Sequence, residues 1–189
     1  MHRLLPAVTL MALAMPSLGD VVEKEVREYY EARQLAGMSL LDALNSASPV
    51  QERGQTFHAY TAWDIRWNFK WQTSSAGLCE IASVTTSLSV KMTLPRLSIG
   101  TQEAVAQFNN YFPALVAHEQ GHRQIALDAA TQADRSIAGL RPMTDCQVLE
   151  KEANRTGLAV LESAKLREIE YDSTTKHGCT QGACLPRSR

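Results

Sequence analysis

An α+β fold is predicted by three features of this 189-residue sequence. Apolar and polar residues alternate strictly from Thr61 to Gln72, a second apolar run follows as far as Pro95, and from Thr101 the pattern changes to helical spacing. The expected architecture is a small antiparallel sheet packed against the helix that follows Thr101 and a C-terminal helix, with the tail folded back over the first of them. Hydrophobic residues make up 44% of the chain, enough at this length for one core, so residues 20–189 are expected to form one domain.

The elements are read in chain order. Met1-His2-Arg3, the apolar run Leu4 to Met15 and the small residues Ser17-Leu18-Gly19 have the form of a signal peptide over residues 1–19, cleaved before Asp20. That run is shorter than the roughly 20 residues needed to cross a bilayer, so no stable membrane insertion is expected after cleavage. The protein is therefore expected to be exported, periplasmic or secreted. Val21 to Tyr30 suits a strand or a helix start, with a strand preferred at Val26 to Tyr30. Ser39 to Leu44 reads as a short helix capped by Ser39.

Trp63, Ile65, Trp67, Phe69 and Trp71 then share one face of a half-buried strand. After a turn at Ser74 to Gly77, Val84, Leu88, Val90, Met92 and Leu94 share a face of its partner, which Pro95 is expected to end. Aromatic residues on a strand face belong more often to a core than to a substrate cleft. His58 reads as a strand-end residue.

From Thr101, Val105, Phe108, Phe112, Leu115, His118, His122, Ile125 and Ala129 fall along one helical stripe. Pro113 either opens a helix there or kinks a longer one. Gly139 and Pro142 end the segment, and a capping box at Thr144 to Gln147 starts a helix running to about Glu168. The Gly-, Thr- and Ser-rich stretch from Tyr171 to Arg189 is expected to lack regular structure.

Charge excludes one class of partner. Lys and Arg number 19 against 20 Asp and Glu, with no long run of either sign, so nucleic acid is not expected. Export favours oxidised cysteines, and of three possible pairings Cys79–Cys146 with Cys179–Cys184 is preferred, because the latter two close a short loop containing Gly182.

The chemistry-bearing element is His118-Glu119-Gln120-Gly121-His122. Histidines four apart on a helix project from one face, where both imidazoles reach a single Zn2+. Glu119 is offset from them and reaches water instead, as an amide hydrolase needs: zinc polarises the carbonyl and lowers the pKa of water, while Glu119 takes the proton. Gly121 weakens the helix by about 1 kcal/mol relative to Ala, which points to close approach of another backbone. His122 is not followed by a Gly-x-x-His continuation, so the third ligand lies elsewhere. His58, His177, Glu150 and Glu152 are the candidates at this point, and Cys179 is a further, thiolate one.

Taken together, the His118-to-His122 motif, Thr61-Ala62-Trp63, Cys79, Cys146 and the tail Tyr171-Asp172, Thr175, His177-Gly178, Gln181-Gly182-Ala183 resemble a bacterial family of predicted secreted zinc-dependent proteases, once a domain of unknown function. The resemblance covers nearly the whole chain after residue 19. It implies zinc binding and peptidase activity on peptide or protein substrates. It also implies His177 as third ligand, with Tyr171 or Asp172 nearby; by their chemistry, a phenol at Tyr171 is suited to donate to the oxyanion and a carboxylate at Asp172 to orient a ligand imidazole. Two other readings stand beside it: a binding or scaffold protein whose closed zinc site, with Cys179 or Glu150, only holds the tail, and a zinc amidase acting on cell-wall peptides.

Overall fold

The computed structural model describes residues 21–52 and 54–186; the expected signal peptide lies outside them. In order, the elements are β1 (Val22–Arg33), α1 (Leu40–Ala47), β2 (Val50–Glu52), β3 (Gln55–Phe57), β4 (Tyr60–Thr73), β5 (Cys79–Ile99), α2 (Gln102–Ala138), α3 (Cys146–Thr175) and a 3-10 turn, Cys179–Gln181. This is the expected α+β class, with a three-stranded sheet ordered β1-β5-β4 and a separate β2-β3 ribbon.

The long hairpin forms as the alternation requires, with β4 antiparallel to β5 from Tyr60 opposite Thr93 to Thr73 opposite Cys79. Leu88, Val90, Met92 and Leu94 are buried beneath the helices, while the alternate residues Ser87, Ser89 and Lys91 face out. The third strand departs from an all-antiparallel sheet, because β1 pairs parallel with β5. The intervening chain holds α1, the β2-β3 ribbon and β4, ample length for the crossover that parallel pairing demands. Nor does Pro95 end β5. Pairing with β4 stops at Thr93 and Pro95 lies opposite Tyr30 of β1, so the strand there has one neighbour, the edge setting in which proline is tolerated.

Helix α2 is continuous through Pro113, and its 37 residues span about 55 Å. Its buried residues Tyr111, Leu115, His118, Ala126, Ala129, Ala130, Ala133 and Ile137 follow the three-and-four spacing of one face. The apolar stripe read from the sequence runs beside that face: Val105 is exposed and Phe108, Phe112 and Ile125 are half-buried. Helix α3 is capped by Asp145, whose side chain accepts from the amides of Gln147 and Val148, and so starts one residue later than the Thr144 capping box would have it. It runs seven residues past Glu168, to Thr175, which makes Tyr171 and Asp172 helical residues instead of parts of a loose tail. The chain then turns through left-handed Lys176, His177 and Gly178.

Both preferred disulfides are present: Cys79–Cys146 joins the start of β5 to the start of α3, and Cys179–Cys184 closes the tail loop. With its cysteines 67 positions apart in the sequence, the first contributes roughly 4 kcal/mol in the loop-entropy account. Two bridges suit an oxidising compartment, which is consistent with export. Among the described residues no helix is long and apolar enough to cross a membrane.

His58 joins three elements. Its Nε2 lies 2.9 Å from Asn45 Oδ1 on α1, its Nδ1 lies 2.8 Å from Tyr111 Oη on α2, and its carbonyl accepts from Tyr30 Oη on β1 at 2.8 Å. Burial lowers its pKa to about 4. The unfolded chain takes up this proton near pH 6.5 whereas the folded one resists it until about pH 4, so His58 costs stability progressively as pH falls through that window. The loss should reach about 2 kcal/mol after allowing for the ring's partial exposure. Melting curves between pH 7 and pH 4 should show this loss in the wild type and a flatter profile in His58→Asn; equal slopes would show that the imidazole does not titrate there.

Candidate metal centre

Two turns of α2 and the last turns of α3 build one site. His118 and His122 project from adjacent turns of α2, and Asp172 on α3 meets them from across the helix pair. Asp172 Oδ1 lies 3.2 Å from His118 Nε2 and 3.1 Å from His122 Nε2. One ligand atom from each of the three lies within 4.8 Å of the other two, so the group can hold a metal ion. Zinc bonds of about 2.0–2.2 Å in tetrahedral array put ligand atoms roughly 3.3–3.5 Å apart, close to the two separations found.

The remaining ring nitrogens are also held. His118 Nδ1 lies 3.0 Å from Gln181 Oε1, and His122 Nδ1 lies 3.4 Å from Glu168 Oε1. Glu168 is fixed in turn by Trp63 Nε1, which donates to the same oxygen at 2.8 Å. Each imidazole therefore has a partner behind it and directs Nε2 at the shared position, the outer arrangement typical of metal-ligating histidines.

The electrostatics suit a cation. His118 and Glu119 are each only 4% exposed, and three carboxylates, Glu119, Glu168 and Asp172, gather around two imidazoles. Burial pushes the Glu119 carboxyl up, against a 2.6 Å hydrogen bond from Thr61 Oγ1 and the nearby histidines, and with the help of Asp172. For His122, burial works to lower the pKa, but hydrogen bonds to Asp172 and Glu168 and the charges of Asp172 and Glu119 overcome it and raise it to about 9. Burial likewise works to raise Asp172, yet bonding from His118 and His122 holds it well below the usual carboxylate range. The site attracts positive charge, and a divalent ion fits a donor set of two imidazoles and a carboxylate.

His177, which the sequence put forward as third ligand, stands outside this group. Its Nδ1 is 3.4 Å from Asp172 Oδ1, its side chain is half exposed, and its ring lies against Phe57 of β3. Asp172 touches the Nε2 atoms of both histidines, while the contacts to their Nδ1 atoms, where an orienting partner was expected, are made by Gln181 and Glu168. Tyr171 lies behind His118: the rings stack at 5.0 Å and 11°, and Tyr171 Oη donates to the His118 carbonyl at 3.2 Å. Tyr171 is not among the residues lining the cleft. Glu150 and Glu152 precede Asp172 on α3 by 20 residues or more, about 30 Å along the axis, and Glu152 pairs with Arg155.

Glycines allow this packing. A Cβ on Gly121 would fall 2.1 Å from Tyr171 Oη, so the close approach inferred at Gly121 is made by a side chain and not by a backbone. On Gly178, at φ +82°, it would fall 3.0 Å from His118 Cγ. Beside the metal group opens a cleft of about 1270 Å3, walled by Tyr60, Trp63, Glu119, Glu168, Asp172 and His177 among others.

Thr61, Glu168 and Gln181 took no role from the sequence. Extending the helical spacing beyond Glu168 was the available signal, since Glu168 and Asp172 are four apart and so face the motif together.

A family model described as a bacterial protein of unknown function (DUF922) matches residues 27–178. No curated protein and no solved structure matches.

Gly121→Ala should destabilise the protein by about 1–3 kcal/mol through overpacking against Tyr171, and Tyr171→Ala in the same chain should remove most of that added cost. Thermal unfolding of the four forms of this double-mutant cycle measures the coupling. Additive effects would mean that the two residues do not meet.

Proposed function

The chain belongs to the bacterial family of unknown function DUF922, and on that premise we propose that it is an exported zinc-dependent hydrolase cleaving amide bonds in peptides or proteins. One observation carries this reading: the Nε2 atoms of two buried histidines and Asp172 Oδ1 converge beside a buried glutamate at the edge of a large cleft. In this proposal His118, His122 and Asp172 hold the metal and Glu119 is the general base. Zinc, when bound, supplies a Lewis acid that polarises the scissile carbonyl and lowers the pKa of water.

The protein's own residues do the rest. Glu119 Oε2, oriented by Thr61, accepts the proton of the attacking water and passes it to the leaving amine. Its raised pKa brings the base closer to neutral pH than an exposed carboxylate, which favours transfer in both directions. His177, on the cleft wall beside Asp172, presents an N–H to the carbonyl oxygen as negative charge develops there. The cleft exceeds the range of about 300–1,000 Å3 usual for small-molecule pockets, which favours a polymer as substrate over a single metabolite.

Purified protein should carry about one zinc per chain, measured by elemental analysis, and His118→Ala, His122→Ala and Asp172→Ala should each lose it. Glu119→Gln should retain zinc and lose hydrolysis of a diverse peptide library, because an amide cannot take the proton. His177→Ala should keep the metal and slow turnover. If it lost zinc while Asp172→Asn kept it, His177 would be the ligand and Asp172 its support. A metal-free wild type after growth in zinc-replete medium would refute the proposal, and zinc without hydrolysis of peptides or purified cell wall would favour the scaffold reading.

A further inference from the structure

The tail beyond α3 folds back behind His118 through a backbone conformation that is costly for its residues. Two successive residues other than glycine, Lys176 and His177, take the left-handed conformation at φ 51°, which L-residues disfavour. Gly178 then passes close enough to His118 that an added Cβ would lie 3.0 Å from its Cγ and 3.2 Å from its Cβ. The next residues form a tight turn in which Gln181 N bonds the Gly178 carbonyl at 2.9 Å and Ala183 N bonds the same carbonyl at 3.0 Å. The Cys179–Cys184 bridge closes this turn, with Cα atoms 4.6 Å apart.

Gln181 lies between the bridged cysteines. Its Oε1 is 3.0 Å from His118 Nδ1, and its Nε2 donates to Tyr171 Oη at 3.1 Å. The amide thus has its oxygen toward the imidazole and its nitrogen toward the phenol, and Tyr171 Oη in turn donates to the His118 carbonyl. An acceptor at Nδ1 fixes the proton on that nitrogen and leaves the Nε2 lone pair directed at Asp172. Although Gln181 is itself solvent-exposed, it is the hydrogen-bond partner of a ring that is 95% buried on its side chain.

We propose that Gln181 is a positioning residue for the metal ligand His118, and that the Cys179–Cys184 bridge holds it there, so that opening the bridge weakens the metal site without unfolding the protein. The inference rests on the metal reading of the His118–His122–Asp172 group. Opening is a two-electron exchange: a dithiol of the surroundings delivers two electrons and two protons to the two sulfurs and becomes a disulfide itself. Cys184 is exposed, which leaves the bridge accessible to such a thiol. The Cys79–Cys146 bridge lies at the other end of α3 with Cys79 only 4% exposed, so it is less accessible to such a thiol and anchors the fold there.

The test is zinc affinity, measured by competition with a chromophoric chelator, in the wild type, Gln181→Ala, Gln181→Glu and the double variant Cys179→Ser with Cys184→Ser. The serine pair stands in for the open bridge because dithiols themselves chelate zinc. Gln181→Ala should lose about 10–100-fold in affinity, the range for removal of a ligand's outer partner, with the melting temperature of the metal-free protein nearly unchanged. Gln181→Glu keeps an acceptor for Nδ1 and should restore most of the affinity, together with the wild-type visible spectrum of the cobalt-substituted protein. The serine pair should weaken binding in the same direction and add little once Gln181 is Ala. Wild-type affinity in Gln181→Ala or in the serine pair would overturn the inference while leaving the metal site intact. Should the wild type bind no zinc, the metal reading fails and this inference with it.

Discussion

Asp172 Oδ1 sits about 3 Å from the Nε2 atoms of two histidines that belong to another helix, and the rest of the structure is arranged so that this contact exists. Two imidazoles and a glutamate lie on the inner face of α2, where uncompensated polar groups are costly. They are tolerated because each of the three side chains has a polar partner: Thr61 for Glu119, Gln181 for His118, Glu168 for His122, and Asp172 facing both rings. The surplus of carboxylates leaves a place for a divalent cation. Helices α2 and α3 run antiparallel, Gly121 lying against Tyr171 near one end of their contact and Ile137 against Ala153 near the other, and only the last turns of α3 reach the motif.

Close approach between the layers depends on residues that take up little space. Gly121 admits Tyr171, Gly178 admits the His118 ring, and Gly157 on α3 admits Trp67, whose ring atoms would meet an added Cβ at 2.6 Å. The tryptophans of β4 are consequently neither plain core nor plain cleft. Trp63 lines the cleft and fixes Glu168, Trp67 wedges against α3 and donates to Asn154, and Trp71 is 46% exposed. Alternation put them on one face of β4, but their separate tasks come from what α3 presents at each level.

Much of this was legible in the residue pattern. Period two located β4 and β5, the His118 and His122 spacing located the side of α2 that faces Asp172, and a glycine-containing six-residue loop gave the Cys179–Cys184 bridge. Where the pattern misled, a tertiary cause is visible. Pro95 looked like a strand end because a pattern does not show that β5 has by then only one neighbour. The Ser-, Thr- and Gly-rich composition after Glu168 looked irregular, yet α3 continues because its inner face meets α2. Stopping the helix early hid the i, i+4 relation of Glu168 to Asp172, so Asp172 looked like a residue orienting an imidazole and not like the carboxylate that contacts both histidines. His58 is the reverse case: nothing local marks it, since its role comes from Asn45 and Tyr111 on two different helices.

A crystal of the zinc-loaded protein, with anomalous data collected on both sides of the zinc absorption edge, tests the central claim most directly. A single strong peak is expected within about 2.0–2.2 Å of His118 Nε2, His122 Nε2 and Asp172 Oδ1, with a further coordination position open toward Glu119 and the cleft. A peak bound instead by Cys179, or enclosed by four protein ligands with no opening toward Glu119, would contradict the claim.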